Sequence, residues 1–215
     1  NAGVLPPLGD VTINSFGVTY EINRTDYKYN PTKGLTILGT FAVGKKRLKK
    51  IAALEEENPL IYDSIKLTTT QFNGELKFNY FIPLASRSTI LIRNQTASVF
   101  SENIYQNELL RIGGLKILRG FDEESISAST YSIFTVEYRF LLDRNSYFSI
   151  FTDGGKYENK NVTDYESDTP FGIGAGVSFE TNAGIFTFNY AVGKQFNNPI
   201  EFRAAKIHFG FVNFF

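Results

Sequence analysis

Cysteine, methionine and tryptophan are absent from this 215-residue chain, and histidine occurs once, as His208. Without cysteine there is no disulfide framework, no thiolate nucleophile and no thiolate-bound zinc. Thiol chemistry therefore gives no sign of the compartment. A single histidine excludes metal sites built from several imidazoles. Serine and aspartate are common, but none sits in a nucleophile-elbow context, so no catalytic constellation assembles and no enzymatic role is expected. Nor does the sequence ask for a cofactor or a metal. No run of about 18 apolar residues occurs, which excludes a transmembrane helix. Charge of one sign is also lacking. Basic and acidic residues number 22 each, leaving a formal net charge of zero and no electrostatic footprint for nucleic acid. The chain opens on Asn1 with no visible signal peptide, so processing or truncation would have removed an upstream segment.

Aromatic residues are plentiful: 21 Phe and 12 Tyr, with a mean hydropathy of only −0.16. A soluble sandwich hides its rings in more continuous apolar runs. A transmembrane β-barrel sets an outward apolar residue at every second position and polar residues between, which keeps the mean near zero. The chain follows the second pattern. Between residues 133 and 140, Phe134, Val136, Tyr138 and Phe140 share one face, and Thr135, Glu137 and Arg139 the other. That is a strand with a lipophilic and a polar side.

The same alternation places about nine strands, at residues 11–24, 35–44, 65–83, 89–100, 127–141, 147–153, 171–181, 185–194 and 204–215. The seventh sets Gly172, Gly174 and Gly176 on its polar face, which implies close approach of another group to that wall. Residues 45–64 break the pattern with a basic run, an acidic run and room for a short helix ended by Pro59. They read as a solvated loop. Residues 156–169 read as a polar loop whose acidic residues are too loosely spaced for an EF-hand. Connections alternate in length. Those at residues 45–64, 101–127, 156–169 and 195–203 are long, and those at 25–33, 84–88, 142–145 and 182–184 are short. In an up-and-down antiparallel sheet this sorts every long loop to one end, as in outer-membrane barrels. Long loops would be extracellular and the C-terminus periplasmic. Barrels of single bacterial chains have even strand numbers, so an odd count implies at least one further strand upstream.

One glycine-bounded stretch, from Gly113 to Glu124, carries a lone arginine near its tip. Leu118-Arg119-Gly120-Phe121 resembles the arginine–glycine–aromatic motif of the BamA-type outer-membrane assembly and translocation barrels. Phe151-Thr152-Asp153-Gly154-Gly155 is similar to that family's aromatic-x-Asp-x-Gly strand motif. Residues 183–193 resemble its penultimate strand. Phe209, Gly210, Phe211 and the terminal Phe215 resemble its C-terminal sorting signal. The motifs occur in order and span nearly the whole chain.

The resemblance implies an all-β, antiparallel, up-and-down transmembrane barrel of about sixteen strands, of which this chain supplies the C-terminal part, with periplasmic POTRA repeats upstream. It implies that residues 101–127 fold back into the lumen, where Arg119 pairs with Asp153 and Glu137. Gly120, Phe121, Phe151 and Gly155 complete that lock. The residues themselves agree, because Glu137 and Asp153 lie on the polar faces of adjacent strands and a buried arginine requires such partners. His208 faces the lumen by parity, as a polar wall residue with Lys206 and Gly210. The expected location is the bacterial outer membrane. The expected partners are lipid and lipopolysaccharide, unfolded outer-membrane or secreted polypeptides as substrates, and accessory lipoproteins. Two other classes stay open at this level: a passive porin-like or passenger-anchoring barrel, and a soluble β-sandwich or ligand-binding barrel.

Overall fold

The structure is a computed structural model and describes residues 6–57, 62 and 65–213. The strands are β1 (Val11–Thr25), β2 (Gly34–Leu48), β3 (Thr68–Ala85), β4 (Ser88–Ser101), β5 (Leu110–Ile112), β6 (Ile126–Ala128), β7 (Thr130–Leu141), β8 (Tyr147–Lys160), β9 (Tyr165–Asp168), β10 (Phe171–Thr181), β11 (Gly184–Lys194) and β12 (Lys206–Val212). One short helix, α1 (Ala52–Glu57), lies between β2 and β3. The main sheet is an antiparallel meander in the order β1-β2-β3-β4-β7-β8-β10-β11-β12, with β9 folded back on β8. A separate two-stranded ribbon, β5-β6, rises from the connection between β4 and β7. β1 and β12 are its edges and do not pair with each other, so the sheet stays open.

Register explains the two faces. Each strand pairs with the next over most of its length without slippage, apart from one irregularity between Pro83 and Ala85. Every second side chain therefore lands on the same side. Phe134 and Phe209 are 57% and 56% exposed on one side, while Glu137 and Asn189 are each 4% exposed on the other. The ring-bearing face is bare. Residues 102–129 fold across the polar face over β4, β7, β8 and β10–β12, while β1 is largely exposed on both sides.

The alternation reaches further than the sequence pattern suggests. β2 continues to Leu48, because the basic run still alternates: Lys45 and Arg47 are exposed and Lys46 is buried. The expected polar loop at residues 156–169 is instead the end of β8 turning back as β9. Tyr157 anchors it, buried on the covered side with its hydroxyl donating to Glu166 (2.6 Å). The fifth expected strand is broken at Ser129, where β6 leaves the sheet to pair with β5. The short helix forms as anticipated, while Pro59 lies outside the described residues.

The covered face is not purely polar, and this corrects the expectation that all aliphatic and aromatic side chains point outward. Ala97, Tyr131, Ile133 and Tyr157 point inward from β4, β7 and β8. They pack against Ile112, Leu118 and Ile126 of the covering segment to form the main buried apolar cluster. Parity alone could not reveal it, since an inward aliphatic is tolerated only where another segment keeps water off. Burying side chains of this kind is worth about 1.5–3 kcal/mol each. The covering segment is thus held by packing as well as by charge.

Candidate functional site

The covering segment makes a tight turn, closed by a bridge between Gly114 and Leu118, and delivers Arg119 onto the sheet. Arg119 is 5% exposed. Its Nε donates to Asp153 Oδ2 (2.7 Å), its Nη2 to Asp153 Oδ1 (2.8 Å) and its Nη1 to Glu137 Oε2 (2.5 Å). Its backbone N–H donates to Asp153 Oδ2 (3.0 Å). This is the two-pronged geometry that a planar guanidinium makes with a carboxylate. The Thr135 hydroxyl adds a donor to Asp153 Oδ1 (2.7 Å). The Phe151 ring lies flat beneath the guanidinium, 3.3 Å from its carbon to the ring centroid, a cation–π contact.

Strand register builds this patch. Thr135 pairs with Asp153 and Glu137 with Phe151 across β7 and β8. Two cross-strand pairs, two residues apart, thus present a hydroxyl, two carboxylates and a ring on one face.

The neighbouring wall is shaped by glycine. Gly172 and Gly193 are register partners on β10 and β11. A Cβ on Gly172 would collide with the Arg119 carbonyl oxygen, and one on Gly193 would lie 2.7 Å from the Phe121 ring and 2.6 Å from the Gly120 oxygen. Gly120 has φ +93°, a left-handed conformation that glycine adopts freely. Its own Cβ would lie 2.6 Å from the Val192 carbonyl carbon. Backbone therefore seats on backbone. Gly174, opposite Phe151 in register, leaves room for that ring, with a Cβ-to-Cζ distance of only 2.7 Å. Gly155 stands apart from the cluster. A Cβ there would strike the Ser132 carbonyl, so it serves the β7–β8 backbone rather than Arg119.

The network extends beyond the residues the motifs pointed to. Arg139 Nε donates to Glu137 Oε1 (2.8 Å), and Arg139 Nη1 to Asn30 Oδ1 (2.8 Å) in the β1–β2 turn. Asn30 in turn donates to the Arg144 carbonyl (3.0 Å) in the β7–β8 turn. On β12, three successive inward positions meet the covering segment. Lys206 pairs with Asp122 (2.7 Å), His208 Nε2 accepts from the Gly120 N–H (3.1 Å), and Gly210 leaves space for Leu115, whose Cδ2 a Cβ would approach to 2.6 Å. At its root the segment is tied by Glu108 to Lys46 (2.5 Å), both buried. A cavity of about 660 Å³ lies beside the cluster, lined in part by Lys77, Arg93, Lys116 and Glu123.

Sequence reasoning missed Thr135 and Arg139 as members of the cluster, and treated His208 as wall only. Parity puts Thr135 and Arg139 beside Glu137, so that signal was present. Nothing local marks Asn30. Phe209 and Phe211 point outward, and Phe211 packs on Phe186 with centroids 4.6 Å apart. Phe215 lies outside the described residues. Among the described residues no group of three or more His, Asp or Glu is placed to hold a metal ion, and no helix is long and apolar enough to cross a membrane. The cluster is built to hold a segment in place.

A search of curated proteins gives no match. A family model described as the Omp85 superfamily domain matches residues 8–215, and the all-β meander with its sorted connections fits that family's barrel. The chain belongs to the Omp85 superfamily, whose members insert or translocate proteins at the outer membrane.

Proposed function

We propose that this chain is the C-terminal part of a closed outer-membrane barrel of about sixteen strands, whose lumen is plugged by residues 101–127 and which inserts or translocates unfolded polypeptides. The ring-bearing face lies in lipid, against phospholipid and lipopolysaccharide, and the polar face lines the lumen. Long connections face the cell exterior and the C-terminus faces the periplasm. POTRA repeats upstream and accessory lipoproteins deliver the substrate. Phe209, Gly210, Phe211 and Phe215 form the signal by which the chain itself is sorted.

The observation that carries this reading is the buried clasp of Arg119 with Asp153 and Glu137 on the face opposite the exposed rings. Burying three charges is costly unless they satisfy one another, so a sequence that places them here uses them to fix the segment. With the plug fixed, the work falls to strand edges. Where β12 parts from the first strand of the closed barrel, its backbone N–H and C=O groups would offer an incoming strand a template for main-chain hydrogen bonding.

The test uses the intact protein reconstituted in lipid vesicles with an unfolded barrel as substrate. Arg119→Ala takes the guanidinium from buried Asp153 and leaves Glu137 to Arg139, and the expected cost is about 3–5 kcal/mol in the segment's attachment. Insertion falls, and the segment becomes protease-sensitive. Arg119→Lys does not restore it, because an ammonium supplies neither the two-pronged geometry nor the stacking. Unchanged insertion and an unchanged heat-induced gel shift would remove the proposal. Ion conductance without any insertion would make the protein a passive barrel.

A further inference from the structure

The contacts on β12 point to a role for its middle residue that the clasp does not cover. Lys206, His208 and Gly210 occupy alternate positions on the covered face of an edge strand, and all three meet the segment that carries Arg119. Lys206 makes an exposed ion pair and Gly210 supplies only space. His208 is buried, 8% exposed, and its Nε2 accepts the Gly120 N–H in the one buried hydrogen bond of the three contacts. An imidazole can accept at Nε2 only when neutral, with its proton on Nδ1. A protonated ring is a donor at both nitrogens and would face a donor.

We propose that His208 is a positioning residue that latches the tip of the covering segment to β12 in its neutral form, and that protonation of His208 opens the latch. The charged groups around it are of both signs. From the covering segment come Arg119, Asp122 and Glu123, from β8 Asp153, and from β12 itself Lys206. Asp153 is occupied by Arg119 and Asp122 by Lys206. Glu123, which accepts from the Leu115 N–H (3.1 Å), is the carboxylate left for an imidazolium. Recruiting it removes the bond that shapes the Gly114–Leu118 turn. From β11, the register partner Asn189 is uncharged. The latched state binds one proton fewer than the open state, so lowering the pH favours opening. Histidine titrates near pH 6.5 when unperturbed, which sets the range to search at roughly pH 8 to 5. The inference needs only the contact and does not rest on what the barrel transports.

The experiment reads His208, the single histidine of these 215 residues. In the intact protein in bilayers, the ¹⁵N-imidazole signal that disappears in His208→Gln is that of His208, expected as the Nδ1–H tautomer at neutral pH. Hydrogen exchange of a peptide spanning residues 115–123, corrected for the intrinsic pH effect, should lose protection roughly tenfold as that imidazole protonates. His208→Gln keeps an acceptor that does not titrate, so its protection stays flat with pH. His208→Phe keeps bulk without an acceptor and is unprotected at every pH. Wild-type protection that does not follow the imidazole titration overturns the latch, as does an Nε2–H tautomer at neutral pH. If His208→Phe does not fold, the wild-type and His208→Gln profiles still decide, since identical pH profiles for the two would sink it.

Discussion

The smallest side chain decides where the covering segment sits. Gly172 and Gly193 leave a dent that Arg119, Gly120 and Phe121 fill with backbone and ring. Gly172→Ala drives a methyl into the Arg119 carbonyl, so the segment must lift or the strands part. Overpacking of this kind costs about 1–3 kcal/mol. Gly39 and Gly74 lie on the same sheet, where an added methyl group would meet nothing within 4 Å, and alanine there is expected to be neutral or to stabilise by up to about 1 kcal/mol. Urea unfolding in detergent, with protease sensitivity of residues 113–124 as a second readout, separates the two pairs. Equal effects at Gly172 and Gly39 would mean that the dent positions nothing. The glycine stripe was readable as a close approach, but its occupant was not. Parity gives a face, and only register gives a neighbour.

Among the elements, the β1–β2 turn shows how a short connection is fixed. Asp26 accepts from the Thr32 N–H (2.9 Å), the Thr32 hydroxyl (2.5 Å) and the Lys33 N–H (3.1 Å). Partial burial pushes its carboxyl upward, but these donors outweigh it and hold the group below its ordinary value. A carboxyl depressed in the folded state stabilises fully above its unfolded pKa and loses that contribution as pH falls through the folded value. The turn should therefore loosen below about pH 4, and Asp26→Asn should abolish the acid-dependent part while lowering stability at neutral pH. Amide exchange of residues 26–33 against pH measures both. A wild-type profile identical to that of Asp26→Asn would refute the assignment. Strands were legible in the sequence because a two-residue period survives at nearly every position. It even survives the basic run at the end of β2, where the eye sees charge and expects a loop. The β5–β6 ribbon and the β8–β9 hairpin were not legible, because their pairing partners are set by tertiary cover rather than by period.

For the whole molecule the question is what bathes the ring-bearing face. Val136 lies near the middle of β7, 48% exposed, between Ile92 and Thr152 in register. In a lipid-facing barrel, Val136→Arg near the bilayer midplane costs about 2–4 kcal/mol. On a water-facing sheet the same change stays within about 0.5 kcal/mol. Reversible folding into vesicles reads the difference, and a near-zero value would end the membrane interpretation. The family and the sidedness of the sheet were visible in ordered motifs and alternation. The inward apolar cluster was not, because parity gives Tyr131 and Ile133 an inward side but not the segment that keeps water off them.

Glu137 divides its two oxygens between Arg119 and Arg139, and Arg139 reaches on to Asn30 at the far turn. One carboxylate is therefore the fulcrum of a lever laid across the wall. Loss of Asn30 frees one Arg139 nitrogen while Glu137 keeps the other, so a disturbance of the β1–β2 turn reaches the seat of Arg119 through a single side chain.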